Sequence, residues 1–65
     1  GVTELSAREL EVLNLVSSGM TDKEIARSLS LSLNTIKTHL RNILSKLQVS
    51  NRKEAARLAK VKGIL

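Results

Sequence analysis

Cysteine, proline and all three large aromatic residues are absent from this 65-residue chain, and glycine occurs only three times. Without cysteine there is no disulfide and no thiolate zinc site, so aliphatic packing and helix caps must carry the fold. A cysteine-free chain also fits the cytoplasm, the localisation expected here. Without aromatics there is no stacking platform for unpaired bases, which disfavours single-strand and RNA binding. No apolar run approaches the roughly 20 residues of a membrane span, so no membrane partner is expected. Catalytic arrangements are missing too: no nucleophile with a histidine base, no phosphate-cradling glycine loop, no carboxylate pair. No catalytic residue, metal ligand or cofactor is expected. The sole histidine, His39, has no further ligands arranged beside it.

Acidic residues are missing from one long stretch. Residues 25–53 hold six basic side chains and no acid, a charge of +6. Residues 1–24 hold two basic and five acidic side chains (−3), and residues 54–65 three basic and one acidic (+2), which together give the net +5. Such asymmetry suits a nucleic-acid partner, although basic charge alone fits a solvated surface equally well.

What is present is helix punctuation. Ser6-Ala7-Arg8-Glu9 and Thr21-Asp22-Lys23-Glu24 have the form of capping boxes, and Asn51-Arg52-Lys53-Glu54 is a variant with an Asn cap. Ser32 caps a further helix, with Thr35 in place of the acid; a carboxylate there would repel a phosphate. Leu5 with Leu10, Met20 with Ile25, and Leu31 with Ile36 form hydrophobic staples. Gly19 and Gly63 mark stops. The expected architecture is all-α: one domain over residues 1–65 with helices at about 7–18, 22–29, 33–47 and 52–62. The first helix should bury Leu10, Leu13 and Val16 above Leu5; the second Ile25, Ala26 and Leu29; the fourth Ala55 and Leu58. The third is amphipathic, with Ile36, Leu40, Ile43 and Leu47 opposite Asn34, Lys37, Thr38, Arg41, Ser45 and Gln48. Roughly three turn residues join the second and third helices, the helix-turn-helix spacing, with Ser30 where glycine is common.

Four blocks carry a family resemblance. They are Leu5-Ser6-Ala7-Arg8-Glu9 with Glu11-Val12-Leu13; Gly19-Met20-Thr21-Asp22-Lys23-Glu24-Ile25-Ala26; Thr35-Ile36-Lys37-Thr38-His39; and Lys46-Leu47-Gln48-Val49-Ser50-Asn51-Arg52. In order and without gaps, they resemble the LuxR-type (GerE or FixJ/NarL-type) DNA-binding domain over nearly the whole chain. The resemblance implies a four-helix, helix-turn-helix effector domain of a bacterial transcription regulator, such as a two-component response regulator. It binds double-stranded DNA, with the third helix in the major groove and the fourth pairing two copies on a two-fold site. It also implies an upstream receiver or ligand-sensing domain outside this chain, and allows RNA polymerase as a further partner. Two positions depart from the family pattern. Asp22 replaces a common Asn and brings an acid toward the DNA side. Gln48 replaces a common Gly and should adopt the left-handed conformation at a cost of about 1 kcal/mol.

Family position and geometry together assign Lys37, Arg41 and Thr38 to base edges or groove, with Asn34 a weaker member. Arg41 has the reach for a bidentate contact to guanine, and Thr38 for a thymine methyl. Thr35 and Ser32 suit capping and phosphate contact alike. Lys23, Lys46 and Arg52 suit phosphate contact or plain solvation, and His39 packing or a phosphate. Ala55, Ala56 and Ala59 form a smooth alanine surface on the fourth helix, assigned to weak pairing mainly on DNA or, in part, to the domain's own core. The rival function is a protein-interaction module that binds an acidic partner through the same scaffold.

Overall fold

The computed structural model describes residues 4–63. It contains helices α1 (Ala7–Ser17), α2 (Asp22–Leu29), α3 (Leu33–Leu47) and α4 (Arg52–Val61), and no strand among the described residues. Each start is fixed by a side-chain cap. Ser6 Oγ accepts from Glu9 N at 3.1 Å while Glu9 Oε1 accepts from Ser6 N at 2.9 Å. Thr21 and Glu24 repeat this reciprocal pair at 3.2 and 2.8 Å. Asn51 Oδ1 accepts from Glu54 N at 2.9 Å, but the Glu54 carboxylate accepts from the Asn51 side-chain amide instead of the backbone. Ser32 Oγ accepts from Thr35 N at 3.1 Å, with no acid in that first turn.

The first three ends share one device. A residue with positive φ reverses the chain, and the amide beyond it bonds five residues back: Met20 N to Leu15 O, Leu31 N to Ala26 O, Val49 N to Leu44 O, at 3.2, 2.9 and 3.0 Å. This is the Schellman closure, with an apolar residue just outside facing one in the last turn. Gly19 takes the positive φ without cost, whereas Ser30 and Gln48 hold φ of 57° with a Cβ attached. Helices α1 and α4 stop one residue before their expected ends, because Ser18 and Lys62 have ψ near 0° and already belong to the turn.

Val12, Leu13 and Val16 of α1, Ile25 and Ala26 of α2, the stripe Ile36, Leu40, Ile43 and Leu47 of α3, and Ala55 and Ala59 of α4 make one core. Three details differ from the amphipathic reading, one being that Leu58 of α4 is half-buried while Ala59 is fully buried. Leu10 is only half-buried and Val12 is fully buried, because α1 packs against all three other helices and needs a broader apolar face than one stripe. Leu29 is likewise half-buried at the edge of the turn. Helix α3 also touches all the others, while α2 and α4 share no backbone contact. That leaves α3 clamped on its inner side and open on its outer one.

Candidate nucleic-acid interface

The outer side of α3 is built from the sequence alternation that buries its inner side. Asn34, Lys37, Thr38 and Arg41 are all exposed. None of their side chains has an intramolecular hydrogen bond or ion pair among the described residues. Asn42, exposed one turn beyond Thr38, joins them; its place between Arg41 and the buried Ile43 was the signal. At the start of the helix the hydroxyls of Ser32 and Thr35 are hydrogen-bonded to each other at 2.8 Å, and Ser32 also caps the helix. His39 is half-buried on the flank of the stripe.

Lys37 leans toward a second feature, an open groove of about 750 Å³ between the α1–α2 turn and the first turns of α3 and α4. Its walls include Met20, Leu33 and Ala56, and its cations are Lys23, Lys37, Arg52 and Lys53. Three residues assigned separately from the sequence (Lys23, Lys37 and Arg52) are therefore neighbours in space. The first turn of α2 brings amides beside Lys23 but also the Asp22 and Glu24 carboxylates, so it is the cations and not this helix N-terminus that suit the groove to an anion.

Two of the expected phosphate contacts are already engaged. The Lys46 ammonium donates to Glu9 Oε1 at 2.7 Å and to Glu4 O at 3.4 Å. Glu9 is the one buried charged side chain among the described residues, 4 % exposed. Hydrogen-bonded Lys46 is the chief reason its carboxyl lies below the ordinary value; burial opposes the shift, and the Ser6 amide adds to it. Lys46 thus ties the end of α3 to the start of α1, a structural role where the sequence offered phosphate contact or plain solvation. Arg52 donates to the Asp22 carboxylate and, at 2.8 Å, to Met20 O. It is the side-chain bridge between α4 and α2, helices that otherwise do not meet, and it neutralises the acid that sits toward the groove.

The alanine surface of α4 needs a larger correction. Ala55 and Ala59 are 0 % exposed, packed in the domain's own core, and are not available to a second copy. A short helix laid close against α1 admits only small side chains on its inner face. Ala56 is half-buried; the outer face consists of Lys53, Arg57, Lys60 and Val61.

Residues 3–59 match the family described as bacterial regulatory proteins, luxR family. The chain belongs to that family. This luxR-type domain is 54% identical over 52 residues, 80% of its length, to the "Transcriptional regulatory protein LiaR" of Bacillus subtilis (strain 168). It is 52% identical over 50 residues, 77% of its length, to the "Monoamine regulon transcriptional regulator" of Klebsiella aerogenes. It is 47% identical over 55 residues, 85% of its length, to the "HTH-type transcriptional regulator MalT" of Vibrio cholerae serotype O1. The matched segments span 25%, 22% and 6% of those proteins, so the chain is much shorter than the regulators it resembles. The family is one of DNA-binding transcription regulators and not of enzymes, and the four-helix arrangement with its helix-turn-helix at α2–α3 agrees. No helix of the luxR-type domain is long and apolar enough to cross a membrane, among the described residues.

Proposed function

We propose that this domain reads a specific duplex sequence by placing α3 in the major groove, as the effector domain of a bacterial transcription regulator. The observation that carries the reading is the contrast in how cations are used. Lys46 and Arg52 are spent on acids, while Lys37 and Arg41 on the outer face of α3 are exposed and unpartnered among the described residues. Exposed, uncommitted cations one helical turn apart suit base edges in a groove that admits a helix. Thr38, Asn34 and Asn42 supply shorter hydrogen-bonding groups between them. Lys23 and Lys53, in the groove beside Lys37, and Arg27, exposed at the end of α2, suit backbone phosphates. The Ser32 and Thr35 hydroxyls and the amides behind them suit a further phosphate, and His39 one at the flank.

Two copies pair on a two-fold site, in this reading, through the outer face of α4 around Ala56. An upstream receiver or ligand-sensing domain controls that pairing in the cytoplasm, and RNA polymerase is the downstream partner. Support for these comes from family membership and from the much greater length of the relatives.

The test is a titration of duplex selected by the domain from a random library. Lys37→Ala and Arg41→Ala should each cost about 1–3 kcal/mol and relax discrimination at the contacted position if they read bases, with helical content intact. With about five cations drawn to the duplex, log K should fall with log salt at a slope of about −4 to −5 per copy. Unchanged binding by the double variant removes α3 as the reader.

A further inference from the structure

We infer that the open groove beside Lys37 is a binding site for a small amphiphilic anion, a medium-chain carboxylate, and that its occupancy excludes the duplex. The site stands on the groove itself; the exclusion rests on the DNA reading above. The groove, about 750 Å³, lies within the roughly 300–1,000 Å³ of small-molecule sites. It has an apolar floor and a cationic rim. Val16 is buried and Met20, Leu33 and Ala56 are half-buried, whereas Lys23, Lys37 and Lys53 are exposed. Leu33 is the informative member of the floor. It opens α3 and is half-buried, yet it does not pack on the core cluster as Met20 does. The wall at the α1–α2 turn is open too, since a Cβ placed on Gly19 would meet nothing within 4 Å.

Backbone phosphates would engage the rim and leave the floor without a partner, because a duplex edge offers charge and little apolar surface. An occupant that uses both needs an anionic head and an apolar body. The sign of the head follows from the charges left over. Of the acids in the first turn of α2, Asp22 is held by Arg52 and Glu24 by the Thr21 amide. Lys23, Lys37 and Lys53 have no intramolecular partner among the described residues. The body follows from the floor. The chain contains no aromatic residue, so a nucleotide base or an aryl group finds no ring to stack on. Aliphatic walls and one thioether, which adapts to irregular shapes, suit a flexible alkyl chain. A carboxylate at the rim then engages the lysines that the duplex reading gives to phosphates, and each ligand must weaken the other by the same factor. Such a domain responds to a class of small molecules directly, without passing through an upstream domain.

Decanoate below its micelle concentration is the probe, titrated into this chain and followed by amide chemical shifts. We expect saturable binding with shifts centred on the groove, at residues 19–23, 33, 37 and 53–56. Affinity should rise about fourfold from hexanoate to octanoate and again to decanoate, the gain for two methylenes half removed from water. Lys23→Gln/Lys53→Gln should weaken decanoate about fivefold. Ala56→Leu, which fills the groove and keeps helix propensity, should abolish binding, while Lys62→Gln, a charge lost outside the groove, should leave it unchanged. At about ten times its Kd, decanoate should weaken binding of the selected duplex about tenfold. No saturable binding, or equal binding of acetate or of decyltrimethylammonium, overturns the inference whatever the duplex does. So does wild-type binding by a folded Ala56→Leu, or decanoate and duplex bound together without competition. A chain that binds decanoate in the groove but no selected duplex keeps the site and removes the DNA reading instead. Capture of a poly-glutamate peptide in the groove, with no binding of decanoate, gives the groove to an acidic protein and overturns the inference.

Discussion

Replacing Lys46 by Met keeps the aliphatic stem and deletes the charge that Glu9 requires. The Glu9 side chain is 5 % exposed and that of Lys46 39 %, so the carboxylate is the desolvated partner and the ammonium the half-solvated one. A hydrogen bond to a charged group is worth about 1.5–3 kcal/mol. Solvent screening at the lysine end argues for the lower part of that range, about 1.5–2 kcal/mol. In the variant Glu9 keeps only the Ser6 amide and remains buried, an arrangement that costs more than losing both partners. For a domain this small 1 kcal/mol corresponds to about 4–8 °C, so Tm at pH 7 should fall by roughly 10 °C. Glu9→Gln should cost less, because the freed lysine turns to water. The double variant should cost less than the two singles added together.

Acid titration checks the cause. The folded Glu9 pKa lies below the ordinary 4.5, so above about pH 4.5 its contribution is fully present. As pH falls through the lowered folded value, the folded state must bind a proton it excludes at neutrality, and the contribution is lost. The stability gap between wild type and Lys46→Met should therefore be widest at pH 7 and narrow toward pH 3. A gap that is absent at pH 7, or equal at pH 7 and pH 3, refutes the account of Lys46 as the charge partner of a buried acid.

Three further outcomes follow from local geometry. Ser30→Gly and Gln48→Gly each relieve a Cβ at φ of 57° and should raise stability by about 0.5–1 kcal/mol in urea unfolding. Ser17→Ala should raise it by about 1 kcal/mol, since Ser17 Oγ is buried without a hydrogen-bond partner; a loss would mean that the hydroxyl is satisfied in solution. Asp22→Asn removes an acid beside the groove and frees Arg52, so DNA affinity should rise and the log–log salt slope steepen by about 1, at some cost in thermal stability measured by calorimetry.

The helix starts could be read from the sequence because their physics is local. A cap and its amide are three residues apart, and a staple spans five, so neither depends on the tertiary fold. The inner stripe of α3 was legible for the same reason, since periodicity alone determines which side chains share a face. The two ion pairs were not. Glu9 and Lys46 are 37 residues apart and Arg52 and Asp22 30 apart, and each acid already had a sufficient local explanation at a helix N-terminus. Nothing in a capping box tells whether its glutamate is also buried. The alanines of α4 failed differently. Ala55, Ala56 and Ala59 look alike in sequence, and only the approach of α1 makes two of them core and leaves one at the edge. Ser30 shows an intermediate case: its place in the turn was evident, but its left-handed backbone appears only with the Schellman closure.

The rearranged assignment of cations changes what a salt titration can decide. Of the six cations in residues 25–53, Lys46 and Arg52 are held by acids from residues 1–24, and Arg27, Lys37, Arg41 and Lys53 are exposed without partners among the described residues. Lys23 joins them in the groove, which makes five cations free to meet a duplex. The alternative set that counts Lys46 and Arg52 as anchors in place of Arg27 and Lys53 also has five members. Both predict a slope of about −4 to −5, so the wild-type slope cannot distinguish them. Single substitutions can. If the ion pairs persist on DNA, Lys53→Gln should reduce the slope by about 1 and Lys46→Met should leave it unchanged once stability is restored by lower temperature. The reverse pattern would mean that DNA displaces Glu9 from Lys46. Lys46→Met would then destabilise the free domain by less than its effect on the complex, and the clamp between α1 and α3 would have to open on binding.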